Sequence, residues 1–177
     1  WQKVNFITKD HIRLYSRVED FNLGPVVGAN VGVSQARWVR GATNATFVQG
    51  LFSQGRQWGS DRFGLLTLKE EGRYQSEWKN VKTRVDTEFY DRARSWTTWA
   101  GHVAWDQVFN PDEDTQLLLG GTSGLRGYPV NAFSGNRLFL ANVENRLFLV
   151  DEVFEFFGIG AVGFVDVGYV WPRGTAL

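Results

Sequence analysis

Residues 98–109 read TWAGHVAWDQVF. One set of alternate positions is Trp99, Gly101, Val103, Trp105, Gln107 and Phe109; the other is Thr98, Ala100, His102, Ala104, Asp106 and Val108. Side chains of a strand point alternately to its two faces, so this pattern predicts one long strand with two unlike faces. The same alternation returns in RLFLANVENRLFL at 137–149, where Phe139, Ala141, Val143, Asn145, Leu147 and Leu149 oppose a run of Asn142, Glu144 and Arg146. It returns again in IGAVGFVDVGYV at 159–170, where Ile159, Ala161, Val165, Val167 and Tyr169 oppose Phe164, Asp166 and Gly168.

Outward from these three, weaker segments follow the same rule. Val81, Val85 and Phe89 oppose Lys82, Arg84, Asp86 and Glu88, and Val27, Val31 and Val33 oppose Gly28, Asn30 and Ser34. Segments near 2–8, 11–18, 46–53 and 62–71 also read as strands. Lys9-Asp10, Asn22-Leu23-Gly24 and Gly55 read as turns between them. The expectation is therefore an all-β chain of about 8–9 antiparallel strands.

Strand length narrows the class. Soluble strands run about 5–6 residues. A strand of ~13 residues is ~43 Å long and, tilted by ~40°, rises ~33 Å, enough for the hydrocarbon core of a bilayer. The link from Phe109 to Arg137 is long and Gly-rich, whereas turns expected at Trp96 and Asp151 are short; unequal connections at the two ends characterise outer-membrane barrels. Charges such as Arg84, Asp86 and Glu88 would line a lumen in a barrel and face bulk water in a soluble β-sandwich, and both readings remain open on the residues alone.

Composition excludes several classes. Lys+Arg and Asp+Glu both total 19, so the formal net charge is zero. That argues against nucleic acid as partner and against a polybasic membrane-surface module. With no cysteine, neither a disulfide framework nor a cysteine zinc site can form. Gly numbers 20 and aromatic residues make up 15 %, yet no apolar run approaches a membrane helix. There is no Met and no signal-peptide pattern after Trp1, so the expectation is an internal segment of a longer protein.

Residues 119–128 read LGGTSGLRGY and residues 163–171 read GFVDVGYVW. Gly120-Gly121 followed by Leu125-Arg126-Gly127-Tyr128, then Glu144-Asn145-Arg146, then Phe164-Val165-Asp166-Val167-Gly168 resemble, in order and spacing, the motifs of the outer-membrane assembly and two-partner-secretion transporter superfamily, the BamA-like surface-antigen barrels. The motif-bearing part covers about residues 98–171; Glu19-Asp20-Phe21-Asn22-Leu23-Gly24 also resembles a turn of such barrels.

The resemblance implies a 16-stranded transmembrane barrel in the bacterial outer membrane, or that of an endosymbiotic organelle, with Asp166 on the third strand from the end. Residues 1–177 would be part of that barrel, with periplasmic domains before them and the last strands after them. A loop at about 110–136 would fold into the lumen. The implied partners are the lipid bilayer, unfolded outer-membrane or secreted polypeptide, and periplasmic accessory proteins. Arg126 is expected to pair first with Asp166 and second with Glu144, both of which share the inward phase. An arginine fork suits a carboxylate. Gly124 and Gly127 are read as constraining the loop. Rival readings are a barrel that anchors or exports a fused hydrolase or surface domain, and a soluble β-sandwich.

Other motifs carry less. Gly158-Ile159-Gly160-Ala161-Val162-Gly163 matches a dinucleotide fingerprint, but strand residues follow it where a helix is required. His102 and Asp106 lie too far apart along a strand to bond each other and read as lining of the polar face. Asn110-Pro111-Asp112-Glu113-Asp114 lacks the glycine and distal glutamate of a calcium loop. Asn44-Ala45-Thr46 is a glycosylation sequon without meaning in a bacterium. No catalytic constellation stands out, so neither enzyme activity nor a cofactor or metal is expected.

Overall fold

The computed structural model describes residues 1–14, 17–37, 43–153 and 157–174. In chain order the strands are β1 (Phe6–Asp10), β2 (Val18–Asn22), β3 (Val26–Ser34), β4 (Ala45–Trp58), β5 (Arg62–Tyr74), β6 (Trp78–Arg94), β7 (Thr97–Phe109), β8 (Leu117–Leu119), β9 (Phe133–Gly135), β10 (Arg137–Val153) and β11 (Phe157–Trp171). One turn of 3-10 helix, Gly121–Ser123, follows β8. Seven strands form one antiparallel sheet in the order β11-β10-β7-β6-β5-β4-β3. The short pairs β1-β2 and β8-β9 stand apart from it.

The sheet is a meander: each strand pairs with its neighbour in sequence, apart from the excursion between β7 and β10 that carries β8 and β9. From β4 onward its strands hold 13 to 17 residues. The turns at 59–61 and 95–96 lie at one end, and the 110–136 segment leaves from the other. β3 and β11 are edges, and no pairing among the described residues joins them, so this sheet does not close on itself.

Register fixes what each face carries. Trp105, Phe139 and Tyr169 stand opposite one another across β7, β10 and β11, as do Gly101, Val143 and Val165. That face is apolar and exposed: Val31, Phe89, Trp99, Val103, Val143, Val165 and Val167 all lie bare. The opposite face carries the directly opposed row Glu88, His102, Asn142 and Asp166. Apart from Ala45, the buried hydrophobic residues fall in two clusters on this polar face. One sets Leu117, Leu119 and Leu125 of the long connection on Ala104, Val108, Leu138, Leu140 and Val170. The other sets Ile12, Phe21 and Leu23 on Phe63, Tyr90 and Ala100.

Several local expectations are corrected. Gly55 is not a turn; it lies within β4, and the chain reverses at Gly59, whose φ is 78°. Gly55 is glycine because Leu23 passes over it: a Cβ there would stand 2.8 Å from the Leu23 Cα. Residues 11–14 form a bend, not a strand, because His11 turns left-handed (φ 54°) and drives Ile12 to complete burial. Near 2–8 only residues 6–8 are in a strand, β1, which continues through the expected turn at Lys9-Asp10. The turn expected at Asp151 is not there: β10 runs past it to Val153, and residues 154–156 lie outside the described residues.

Candidate functional site

The long connection between β7 and β10 lies down on the polar face over β7, β10 and β11. Its backbone is bent by glycines: Gly120, Gly121 and Gly124 all have positive φ. At Gly120 (φ 132°) a Cβ would sit 2.2 Å from the Pro129 carbonyl oxygen, so only glycine lets the two limbs of the loop approach. Ser123 ties the short helical turn to Gly120, its Oγ accepting from the Gly120 amide at 2.9 Å and donating to the Gly120 carbonyl at 2.8 Å. Leu125 then drops into the apolar cluster beneath, which aims the next residue, Arg126, along the polar face.

Arg126 meets both carboxylates. Its Nε donates to Asp166 Oδ2 at 2.8 Å and its Nη2 to Asp166 Oδ1 at 2.6 Å, a two-pronged fork; its backbone amide donates to Oδ2 at 3.1 Å. Its Nη1 donates to Glu144 Oε1 at 2.5 Å. The guanidinium lies over the Phe164 ring, 3.7 Å from the centroid, adding a cation–π contact. Arg146 approaches the other oxygen of Glu144, with Nε donating to Oε2 at 2.8 Å. Asp166 above all, and then Glu144, hold the Arg126 guanidinium above its ordinary range, so it remains a fixed positive charge.

Gly168 explains itself by contact: a Cβ there would stand 2.8 Å from Leu119 Cδ2 and 3.3 Å from the Phe139 carbonyl oxygen. A larger residue would have to displace the buried Leu119 side chain, which packs the loop against β11. Gly127 behaves differently from the expectation. Nothing lies within 4 Å of its would-be Cβ and its φ is not positive, so Gly124 constrains the loop and Gly127 does not. Tyr128 is exposed and packs edge-on against Phe133, their ring centroids 5.1 Å apart.

Two further participants stand beside the clamp: Asn142, which was not singled out from the sequence, and His102, which was read only as lining of the polar face. Asn142 stands directly opposite Asp166; its Nδ2 donates to Asp166 Oδ1 and to the Gly124 carbonyl, both at 2.7 Å. It therefore fastens the loop's backbone and orients the carboxylate together. His102 sits between Asn142 Oδ1, 3.1 Å from Nδ1, and Asp86 Oδ2, 2.9 Å from Nε2. Its partner is on the neighbouring strand, not the Asp106 of its own. Asp106 is buried, with Arg84 Nη1 3.6 Å away. The signal for Asn142 was its inward phase beside Glu144; an uncharged amide gave no reason to prefer it.

Elsewhere, the 158–163 glycine pattern lies within β11. Asp112 pairs with Arg73 and accepts from Asn80 Nδ2 at 3.0 Å. Among the described residues no group of three His, Asp or Glu is placed to hold a metal. The contacts around Arg126 form a clamp that fixes the loop on the polar face. Comparisons with protein-family models, curated proteins and solved structures find no match for this chain.

Proposed function

We propose that this sheet is part of the wall of a transmembrane β-barrel in the bacterial outer membrane, with the 110–136 segment folded into its lumen. The barrel inserts outer-membrane proteins or translocates polypeptide. The observation that carries this reading is the meeting at Arg126 of three separate segments, Leu125–Tyr128, Glu144–Arg146 and Phe164–Gly168, whose order and spacing resemble those of the assembly and secretion barrels.

The two-faced sheet supports the membrane. Its apolar face is exposed from β3 to β11, and the elements stacked on the sheet, β1-β2 and β8-β9 with their flanking residues, lie on the polar face. A sandwich would cover the apolar face with a second sheet. Aromatic residues gather toward the two ends of the bare face: Trp58, Phe89 and Trp99 near the short turns, Tyr74, Trp78, Trp105, Tyr169 and Trp171 near the long connection. On β6, Trp78 and Phe89 are ~36 Å apart along the strand and ~28 Å in height at a ~40° tilt, close to the ~25 Å apolar band of such barrels. Closure requires strand partners for the β3 and β11 edges.

The test is reconstitution. Protein refolded into phosphatidylcholine vesicles is offered an unfolded outer-membrane porin, and protease-protected, heat-modifiable porin is measured. Acceleration over empty vesicles, lost in Arg126→Ala, is expected for insertion; passage of unfolded polypeptide into the vesicle interior is expected for secretion. A chain that enters vesicles and does neither overturns the function, and one that never enters them overturns the barrel.

A further inference from the structure

Residues 6–14 and 18–23 form an arm across the polar face at the end where the strands are joined by short turns. The bend at its middle is held by side chains of the wall. Thr98 Oγ1 donates to the His11 carbonyl at 2.8 Å, and Arg146 Nη1 donates to the Ile12 carbonyl. Asp10 pairs with Arg92 Nη1 at 2.9 Å, and Arg13 contacts Glu88 and donates from Nε to the Tyr90 hydroxyl at 3.0 Å. The arm thus touches β6, β7 and β10 at once. Between it and the clamped loop lies a cleft of about 580 Å³, bounded by Arg13, Tyr90 and Arg146 toward the arm and by Thr122, Gly124 and Arg126 toward the loop.

Arg146 belongs to both boundaries. It holds Glu144 Oε2 with Nε and the Ile12 carbonyl with Nη1, while Glu144 gives its other oxygen, Oε1, to Arg126. We infer that the arm is a latch over the short-turn end of the cleft, and that the Glu144–Arg146 pair couples it to the loop, so that release of Arg126 loosens residues 10–14. The physical route is short. Arg146 sets both Nε and Nη2 against Glu144 Oε2, at 2.8 and 2.6 Å; without Arg126 the carboxylate can turn and take those two nitrogens with one oxygen each, the geometry an arginine fork prefers. The guanidinium is a rigid plane, so recentring it on the carboxylate carries Nη1 away from the Ile12 carbonyl, which is left buried without that donor. The assignment of the latch to the periplasmic mouth of a lumen rests on the barrel reading, since short turns lie on that side; the coupling itself does not.

The chain has no cysteine, so a single introduced thiol reports without background. Ala100 is buried under the arm, and Ser95 lies exposed in the β6–β7 turn. In detergent-folded protein, a charged maleimide is expected to label Ala100→Cys ~100-fold more slowly than Ser95→Cys. Losing one charge-assisted hydrogen bond shifts such an equilibrium about tenfold. Arg126→Ala, which touches no arm residue, should therefore raise the Ala100→Cys rate about tenfold and leave Ser95→Cys unchanged. Arg146→Ala should raise it as much, and the double variant no further. Hydrogen exchange at residues 10–14, measured without any cysteine, should accelerate by a similar factor in Arg126→Ala. Labelling of Ala100→Cys as fast as Ser95→Cys refutes the latch. Unchanged exchange in Arg126→Ala, or additive effects of the two arginine variants, refutes the coupling. Vesicle flotation of the same samples separates these outcomes from failure of the barrel reading, because labelling and exchange in detergent do not require insertion.

Discussion

Removing Arg126 should detach the loop at a cost that its contacts allow to be estimated. The Asp166 carboxylate is only 5 % exposed, whereas the Arg126 side chain is 35 % exposed and still meets water. Arg126→Ala strips Asp166 of two charge-assisted bonds and leaves it the backbone amide of residue 126 and Asn142 Nδ2. Stranding a dry charge costs about 3–5 kcal/mol; partial exposure of the arginine and the surviving donors lower this to roughly 2–3 kcal/mol, about a 30- to 150-fold shift in loop docking. Glu144 suffers less, because Arg146 remains on its other oxygen. A double-mutant cycle with Arg126→Ala and Asp166→Asn, read by urea unfolding in micelles, should give a coupling of about 2 kcal/mol, and the same cycle with Glu144→Gln under about 1 kcal/mol. Coupling to Asp166 within about 0.3 kcal/mol of zero, or a larger coupling to Glu144, would refute the reasoning.

The glycines of the loop should divide sharply. Gly120→Ala, driven into the Pro129 carbonyl, should cost more than about 2 kcal/mol, whereas Gly127→Ala, facing open space, should stay within about 0.5 kcal/mol by denaturant titration. Gly168→Ala should lift the loop from β11 and cost about 1–3 kcal/mol, seen as faster proteolysis between 119 and 133; unchanged protection would contradict the close approach of Leu119. On the bare face, Val143→Arg should cost about 2–4 kcal/mol for folding into vesicles if it sits near the bilayer midplane, and a neutral effect would count against lipid contact. Depth-dependent quenching should place Trp78 and Trp99, in otherwise tryptophan-free variants, at opposite interfaces, since Trp99 stands opposite Asp91 at the far end of β6 from Trp78; equal depth would contradict the two aromatic bands.

Much of the wall was legible because β7, β10 and β11 alternate without interruption, and a period of two assigns every residue to a face. Phase put Asp166 and Glu144 on one face, and the motif resemblance brought Arg126 to that face. Phase does not give register, which turn geometry sets. Hence His102 was read only as lining of the polar face, and its partners Asp86 and Asn142, on neighbouring strands, were not identified. The arm was misread for a different reason. Segments 2–8 and 11–18 are short enough to alternate by chance, and the burial of Ile12 depends on Phe63 and Tyr90, far away in sequence. Gly55 looked like a turn because glycine for close approach and glycine for reversal are indistinguishable until something is seen to pass overhead.

The meander also sets an order of events in folding. Apart from β10, which reaches β7 across the 110–136 segment, each strand of the long sheet finds its mate through a neighbouring hairpin, a local search that closes short loops. The furnishings of the polar face are remote by comparison: Thr98 reaches its carbonyl across 87 residues, Arg146 across 134, and Arg126 reaches Asp166 across 40. Hairpin pairing should therefore be fast and settlement of the arm and loop slow, giving two kinetic phases in which strand content appears before protection of Ala100 and Leu119. In the interval the chain passes through a state with its long sheet formed and its polar face still bare.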